Sequence, residues 1–162
     1  MPSPPLTPLA TAVLHLPHPP ERVLEIGCGG GDGVLFLARE FPAARVRGVD
    51  SSEESIREAV ARVGLDPEGR VAFKRGSGRT LPYPDDLFDL VAQRHGALHA
   101  GEATRVLRPG GHLVHVECPA GGPLTRARLV WLRRRLAGLG FEIVQRGDAE
   151  GVSFWVGRLG GD

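Results

Sequence analysis

Residues 23–33, VLEIGCGGGDG, decide how this chain is read. Val23, Leu24, Glu25 and Ile26 read as a buried strand that runs directly into Gly27, Gly29, Gly30, Gly31 and Gly33. Val34, Leu35, Leu37, Ala38 and Phe41 then follow in an apolar helical pattern. Glycine is needed where the chain takes positive φ or where a ligand lies against the backbone, and a helix start offers unpaired N–H groups to an acceptor. The turn is therefore shaped for a nucleotide-like ligand. Asp50 ends the next apolar strand, Arg45–Val49, where its carboxylate is placed to take two ribose hydroxyls.

The glycine spacing separates two ligand classes. A dinucleotide site uses G-x-G-x-x-G, whereas Gly27, Gly29 and Gly31 give G-x-G-x-G with the acidic Glu25 two positions before it. Further along, residues 75–91 read RGSGRTLPYPDDLFDLV, and residues 105–114 read RVLRPGGHLV. Between these stretches the chain alternates apolar strands with amphipathic helices, which predicts a parallel, doubly wound sheet. Ser51 or Ser52 caps a helix over Glu53–Val63, closed by Gly64. Val71–Lys74 forms a short strand and Phe88–Val91 the fourth. A helix spans Glu102–Leu107, the turn Arg108–Gly111 leads to a strand His112–Cys118, a helix runs over Leu124–Gly138, and Phe141–Arg146 and Val152–Arg158 close the chain around a turn at Gly147–Gly151.

Taken together, VLEIGCGGG, the Leu81-Pro82 and Phe88-Asp89-Leu90-Val91 segments, and RVLRPGGHLV resemble the class I, seven-strand S-adenosylmethionine (SAM) dependent methyltransferases, from about Pro20 to Leu159. The resemblance implies an α/β, doubly wound, mainly parallel seven-stranded sheet with an antiparallel last strand beside strand five and helices on both faces. It implies SAM as cofactor. Glu25, Gly27, Gly29 and Gly31 would shape the methionine and ribose site, Asp50 would hold the ribose with Ser51 beside it, and Ser77 and Gly78 would border the adenine. The family commonly places an acidic residue where Ser77 stands, and a hydroxyl is a weaker acceptor than a carboxylate. Gln93, Arg94 and His95, at the exit of strand four, would face the acceptor, with Gln93 also at the cofactor.

A sulfonium methyl is already activated, so the main task is to hold the acceptor in line and exclude water. An acceptor hydroxyl, thiol or amine must still lose a proton, and His95, with His99 behind it, is the candidate base because imidazole titrates near neutrality. The alternative for each is a polar loop residue bonded to nearby backbone. A metal reading of His95, His99, His112, His115 and Cys118 is disfavoured, since His112 and His115 point to opposite faces of a strand and the other two would need a helix in a stretch that Gly96 and Gly101 bracket. Cys118 reads as a small buried thiol. Arg126, Arg128, Arg133, Arg134 and Arg135 read as the solvated sides of a leucine-faced helix.

At 162 residues the chain fits a single domain, with residues 1–20 as a short N-terminal extension that the family would use to cover substrate. The formal charge of +1 leaves no large electrostatic footprint, so nucleic acid is an unlikely partner on charge grounds. Two cysteines predict a reducing compartment, and no apolar run approaches the roughly 18 residues of a membrane span. The Pro-broken start argues against a signal peptide. The expectation is a cytoplasmic methyltransferase acting on a small molecule, with a protein partner or second copy completing the acceptor pocket. The rival is a non-catalytic subunit of the same fold acting beside a partner; an NAD-type oxidoreductase leaves residues 88–91 and 108–111 without a role.

Overall fold

The computed structural model of the chain describes residues 5–117 and 123–161, with 123–126, 128 and 129 described by backbone alone. In chain order the elements are α1 (Thr7–Val13), β1 (Arg22–Ile26), α2 (Asp32–Glu40), β2 (Arg45–Asp50), α3 (Glu53–Arg62), β3 (Val71–Arg75), β4 (Phe88–Gln93), α4 (Ala100–Val106), β5 (Leu107–Glu117), α5 (Pro123–Gly138), β6 (Phe141–Ala149) and β7 (Val152–Leu159). They form one seven-stranded sheet of order β3-β2-β1-β4-β5-β7-β6. The first five strands are parallel, and β7 inserts antiparallel between β5 and β6. This is the doubly wound architecture expected from the alternation of strands and helices.

Period-2 alternation sorts each strand's side chains onto two cores. Val23, Val46, Leu90, Ala92, Val114 and Val116 face one side, where Leu9 and Ala12 of α1 and Val34, Leu37 and Ala38 of α2 cover them. Leu24, Val49, Val91, Leu113 and Trp155 face the other, under Ala100, Ala103 and Val106 of α4 and Leu136 of α5. Full burial of a side chain such as Leu37 contributes about 1.5–3 kcal/mol. Because the chain after β1 goes to the first face and the chain after β4 goes to the second, the two exits diverge between adjacent strands. That divergence opens a crevice at the carboxyl ends of β1 and β4, where ligands bind in open α/β sheets.

Local chemistry sets most boundaries. Ser52 caps α3 by accepting from the Ser55 N–H at 3.2 Å, Glu53 and Glu54 sit in its first turn, and Gly64 follows with φ +69°. Two segments depart furthest from the sequence expectation. The Arg108–Gly111 turn is part of β5: Leu107 pairs with Phe88 and His112 with Leu90, so residues 108–111 bulge out opposite Asp89. Asp89 fixes that bulge, its Oδ1 accepting from Arg108 Nη1 at 2.9 Å and its Oδ2 from the N–H groups of Glu21 and Arg22. The closing hairpin is longer than expected, with β6 running to Ala149, because Gly147 stays in the strand to let the Phe154 ring lie over its backbone. Only Glu150 and Gly151, both at positive φ, make the turn. Cys118, expected at the end of β5, lies outside the described residues.

The N-terminal helix packs on the sheet. Leu9, Ala12 and Val13 are buried against the β5–β7 side of the sheet, so α1 is a layer of the core.

Candidate functional site

Gly27, Gly29 and Gly31 have φ of +68°, +50° and +88°, whereas Gly30 and Gly33 do not need positive φ. The three conformationally demanding positions are the three of the G-x-G-x-G spacing, so the pattern encodes a backbone path. Gly27 and Cys28 both donate their N–H to the Val49 carbonyl, at 2.8 and 3.0 Å, pinning the turn to β2. A Cβ added to Gly29 would meet nothing within 4 Å. That open side is the floor of the crevice. The far side of the turn is closed: Ala59 of α3 and Phe73 of β3 lie against Gly31, Arg62 donates to the Gly30 carbonyl at 2.8 Å and pairs with Asp32, and Cys28 is buried beneath with its thiol pushed up to about 12 by burial.

Glu25 points into the core rather than the crevice. It is fully buried, and its Oε1 accepts from Arg94 Nε at 2.6 Å, with the Arg94 side chain only 2% exposed. The carboxylate presses against Gly33 at the start of α2, where any Cβ would collide with it. Burial raises the Glu25 pKa to about 7, while Arg94 and the Val34 N–H hold it down. The pair ties β1, the first turn of α2 and the exit of β4 together. The sequence pointed to Glu25 and placed Arg94 in the acceptor stretch; the inward turn of Arg94 had no local signal, because its partner is 69 positions away.

Asp50 lies at the rim of the crevice. Its Oδ2 accepts the Gly29 N–H and its Oδ1 the Ser52 N–H, both at 2.9 Å, so the carboxylate spans the glycine turn and the start of α3. Ser51 is exposed beside it, its carbonyl accepting from Arg75 Nε at 3.2 Å. Ser77 is exposed too, with its hydroxyl accepting from the Arg79 N–H at 3.1 Å and a short bridge to Thr80. Gly78 packs closer in: a Cβ there would lie 3.2 Å from the His99 ring and 3.3 Å from Ile26. Gly78, Ile26 and His99 thus form the wall on the side away from Asp50.

Residues 81–85 are held in place by two residues not singled out beforehand. Glu102 accepts the Leu81 N–H at 2.7 Å and pairs with Arg105, which also donates to the carbonyls of Leu81 and Tyr83 and to Asp85. The Arg105 guanidinium, with the Leu81 N–H, holds the Glu102 carboxyl down at about 2. The three-residue offset of Glu102 and Arg105 on α4 was the available signal.

At the exit of β4 the expected residues diverge. Gln93 is 4% exposed and its Nε2 donates to the carbonyls of His95 and Ala97, at 3.0 and 3.1 Å, while its Oε1 is buried without a partner among the described residues. His95 is exposed at the rim with its ring against Gly27, whose added Cβ would lie 3.7 Å from the imidazole Cε1. Desolvation first, then the neighbouring Arg94 charge, lower the His95 pKa, with Asp50 pulling the other way, so the ring is neutral at pH 7. His95, Gly27, Gly29 and Asp50 are therefore brought together; Ser77 stands off to the outside.

His112 and His115 do not share a site. His115 is buried against Trp155 with ring centroids 5.3 Å apart, whereas His112 lines a cavity of about 400 Å³ at the opposite end of the sheet, beside His18, Arg108 and Gly110. Among the described residues no three His, Cys, Asp or Glu are grouped to hold a metal ion, and no helix is long and apolar enough to cross a membrane.

Known proteins are similar to this chain in sequence and in fold. The chain is 36% identical over 114 residues to demethylmenaquinone methyltransferase of Thermus thermophilus, covering 65% of this chain and 51% of that protein. It is 34% identical over 104 residues to fatty-acid O-methyltransferase of Mycolicibacterium smegmatis, covering 60% and 37% respectively. The chain thus spans about half or less of the length of these relatives. Among solved structures, the [4+2]-cyclase SpnF superposes with a TM-score of 0.75 at 24% identity, over 97% of this chain and 80% of that one. A complex of the Haloferax volcanii Trm112 methyltransferase activator with a methyltransferase gives a TM-score of 0.76 at 18% identity, over 96% and 90%. At those identities the structures share the fold alone. The sequence model of the methyltransferase-domain family matches residues 23–111, from the strand before the glycine turn to the bulge of β5. With more than half of its length inside that match and the sheet order in place, the chain belongs to the class I SAM-dependent methyltransferases.

Proposed function

We propose that this protein transfers the methyl group of SAM to a small-molecule acceptor in the crevice between the exits of β1 and β4. The observation that carries the reading is the glycine turn itself: three positive-φ glycines, an open floor above Gly29, and Asp50 bonded across the turn at the rim. The relatives, a demethylmenaquinone methyltransferase and a fatty-acid O-methyltransferase, support a small acceptor.

SAM supplies an activated methyl on a sulfonium. The chain's residues do the rest. Gly27, Gly29 and Gly31 let the ligand lie directly on the backbone. Asp50 offers its carboxylate to the ribose hydroxyls with Ser51 beside it, and Gly78, with Ser77 outside it, borders the adenine. Glu25 shapes the methionine end from beneath, holding the first turn of α2 through Arg94 and the Val34 N–H. Gln93 sets the 95–97 backbone, which places the His95 ring over Gly27. Being neutral at pH 7, His95 accepts the proton that the acceptor loses at its imidazole nitrogen.

A second reading keeps the fold and cofactor and removes catalysis: the chain acts as a subunit completed by a partner or a second copy. Its support is Ser77, which stands where the family commonly places an acidic residue, and a structural neighbour solved with a methyltransferase activator. Isothermal titration with S-adenosylhomocysteine, followed by methyl-transfer assays on fatty acids and quinones, separates the readings. Binding with turnover supports the enzyme. Binding without turnover on any acceptor class supports the subunit, and absence of binding overturns both.

A further inference from the structure

The last helix has a face that methyl transfer does not use. Among the described residues its seam to the sheet is made by Leu136, which is buried, and Leu132, partly so, with Leu139 just beyond the helix end. On the outer side, Val130 and Trp131 are 51% and 60% exposed. At about 100° per residue Trp131 and Val130 flank Arg134 on the side turned away from Leu132 and Leu136. The Arg135 guanidinium lies 5.5 Å from the Trp131 ring centroid.

The charge of this stretch of sequence is one-sided. Between Glu117 and Glu142 the sequence holds Arg126, Arg128, Arg133, Arg134 and Arg135 and no acidic residue, whereas the whole chain has 20 Lys+Arg against 19 Asp+Glu. The positive excess is therefore concentrated in α5, and the remainder of the chain is net negative. An exposed indole among arginines with no acidic residue near them in the sequence suits a water–lipid boundary, since the ring settles at headgroup depth while the guanidinium groups reach phosphates. A single-stranded polynucleotide suits it less, because one aromatic ring gives one stacking platform rather than a row.

We propose that the outer face of α5, centred on Trp131, Arg134 and Arg135, docks this protein on an anionic lipid surface.

The test titrates the full chain with phosphatidylcholine vesicles, with and without phosphatidylglycerol, following tryptophan emission and flotation. Trp155 is buried, so a blue shift reports Trp131. The expected result is at least about tenfold tighter binding to the anionic vesicles, reversed by high salt. Arg134→Glu with Arg135→Glu, and separately Trp131→Ser, should each cut flotation by about tenfold or more with an unchanged thermal melt. Arg134→Ala with Arg135→Ala replaces the charge reversal if that variant fails to fold. No binding to the anionic vesicles, equal binding to neutral ones, full binding by the arginine variants, or displacement from vesicles by polyuridylate would each overturn the proposal. Vesicle binding is read without cofactor or acceptor, so its failure is distinct from failure of the methyl-transfer reading.

Discussion

The turn after β1 and the turn after β4 face each other across the middle of the sheet and are built on opposite principles. In the first, three glycines at positive φ dictate the path, and the hydrogen bonds to Val49 and Asp50 complete it. In the second, side chains dictate the path: Gln93 holds the carbonyls of His95 and Ala97, and Arg94 turns inward to Glu25. A backbone-coded turn survives changes around it. A side-chain-coded turn depends on each partner staying in place, so the acceptor side of the crevice is the more fragile side.

The sharpest way to break that comparison is Arg94→Ala. It leaves Glu25 buried without its cation, and removal of one member of a buried pair costs about 3–5 kcal/mol, read as a fall in the urea midpoint. A loss below about 1 kcal/mol would show that the pair is not what fixes the β4 exit. Next in size, His95→Ala should lower methyl transfer by about 10²-fold or more while leaving S-adenosylhomocysteine affinity near its original value. Equal loss of both would make His95 part of the cofactor site instead. On the glycine-turn side, Asp50→Ala should weaken S-adenosylhomocysteine binding by about 1.5–3 kcal/mol by isothermal titration, through loss of a charged acceptor. Unchanged affinity would remove the ribose assignment.

The smallest effects are in pH dependence. Burial lowers the His115 pKa from 6.5 to about 4, so stability is fully present above 6.5 and falls as pH drops from 6.5 toward 4, where the unfolded chain binds the proton and the folded one does not. Glu102 goes from 4.5 to about 2, so its contribution is present above 4.5 and is lost between 4.5 and 2. Thermal melts across this range should show His115→Phe removing the upper part of the decline and Glu102→Gln the lower part. For His95, a pKa below the ordinary imidazole value means that methyl transfer rises with pH below 6.5 and levels off by neutrality. A rate that still climbs above pH 8 would point to a different base.

The sequence by itself determined the strands, the doubly wound order, the glycine turn and the position of Asp50, because each rests on local periodicity, on a residue's φ requirement or on its distance from a strand end. The family resemblance added the antiparallel strand beside β5, which local pattern alone does not place. What only the tertiary structure decided is where polar side chains point. Arg94 stood among residues expected to face the acceptor and is instead the partner of Glu25; Gln93 orders a loop; Glu102 and Arg105 lock residues 81–85. Two of the boundary changes have the same origin, since β5 continues through Pro109 around a bulge tied down by Asp89, and β6 continues through Gly147 under the Phe154 ring. A backbone preference acts over a few residues and is written in them, but a buried charge or a ring takes the partner that the packed sheet brings to it, and that partner lies tens of residues away.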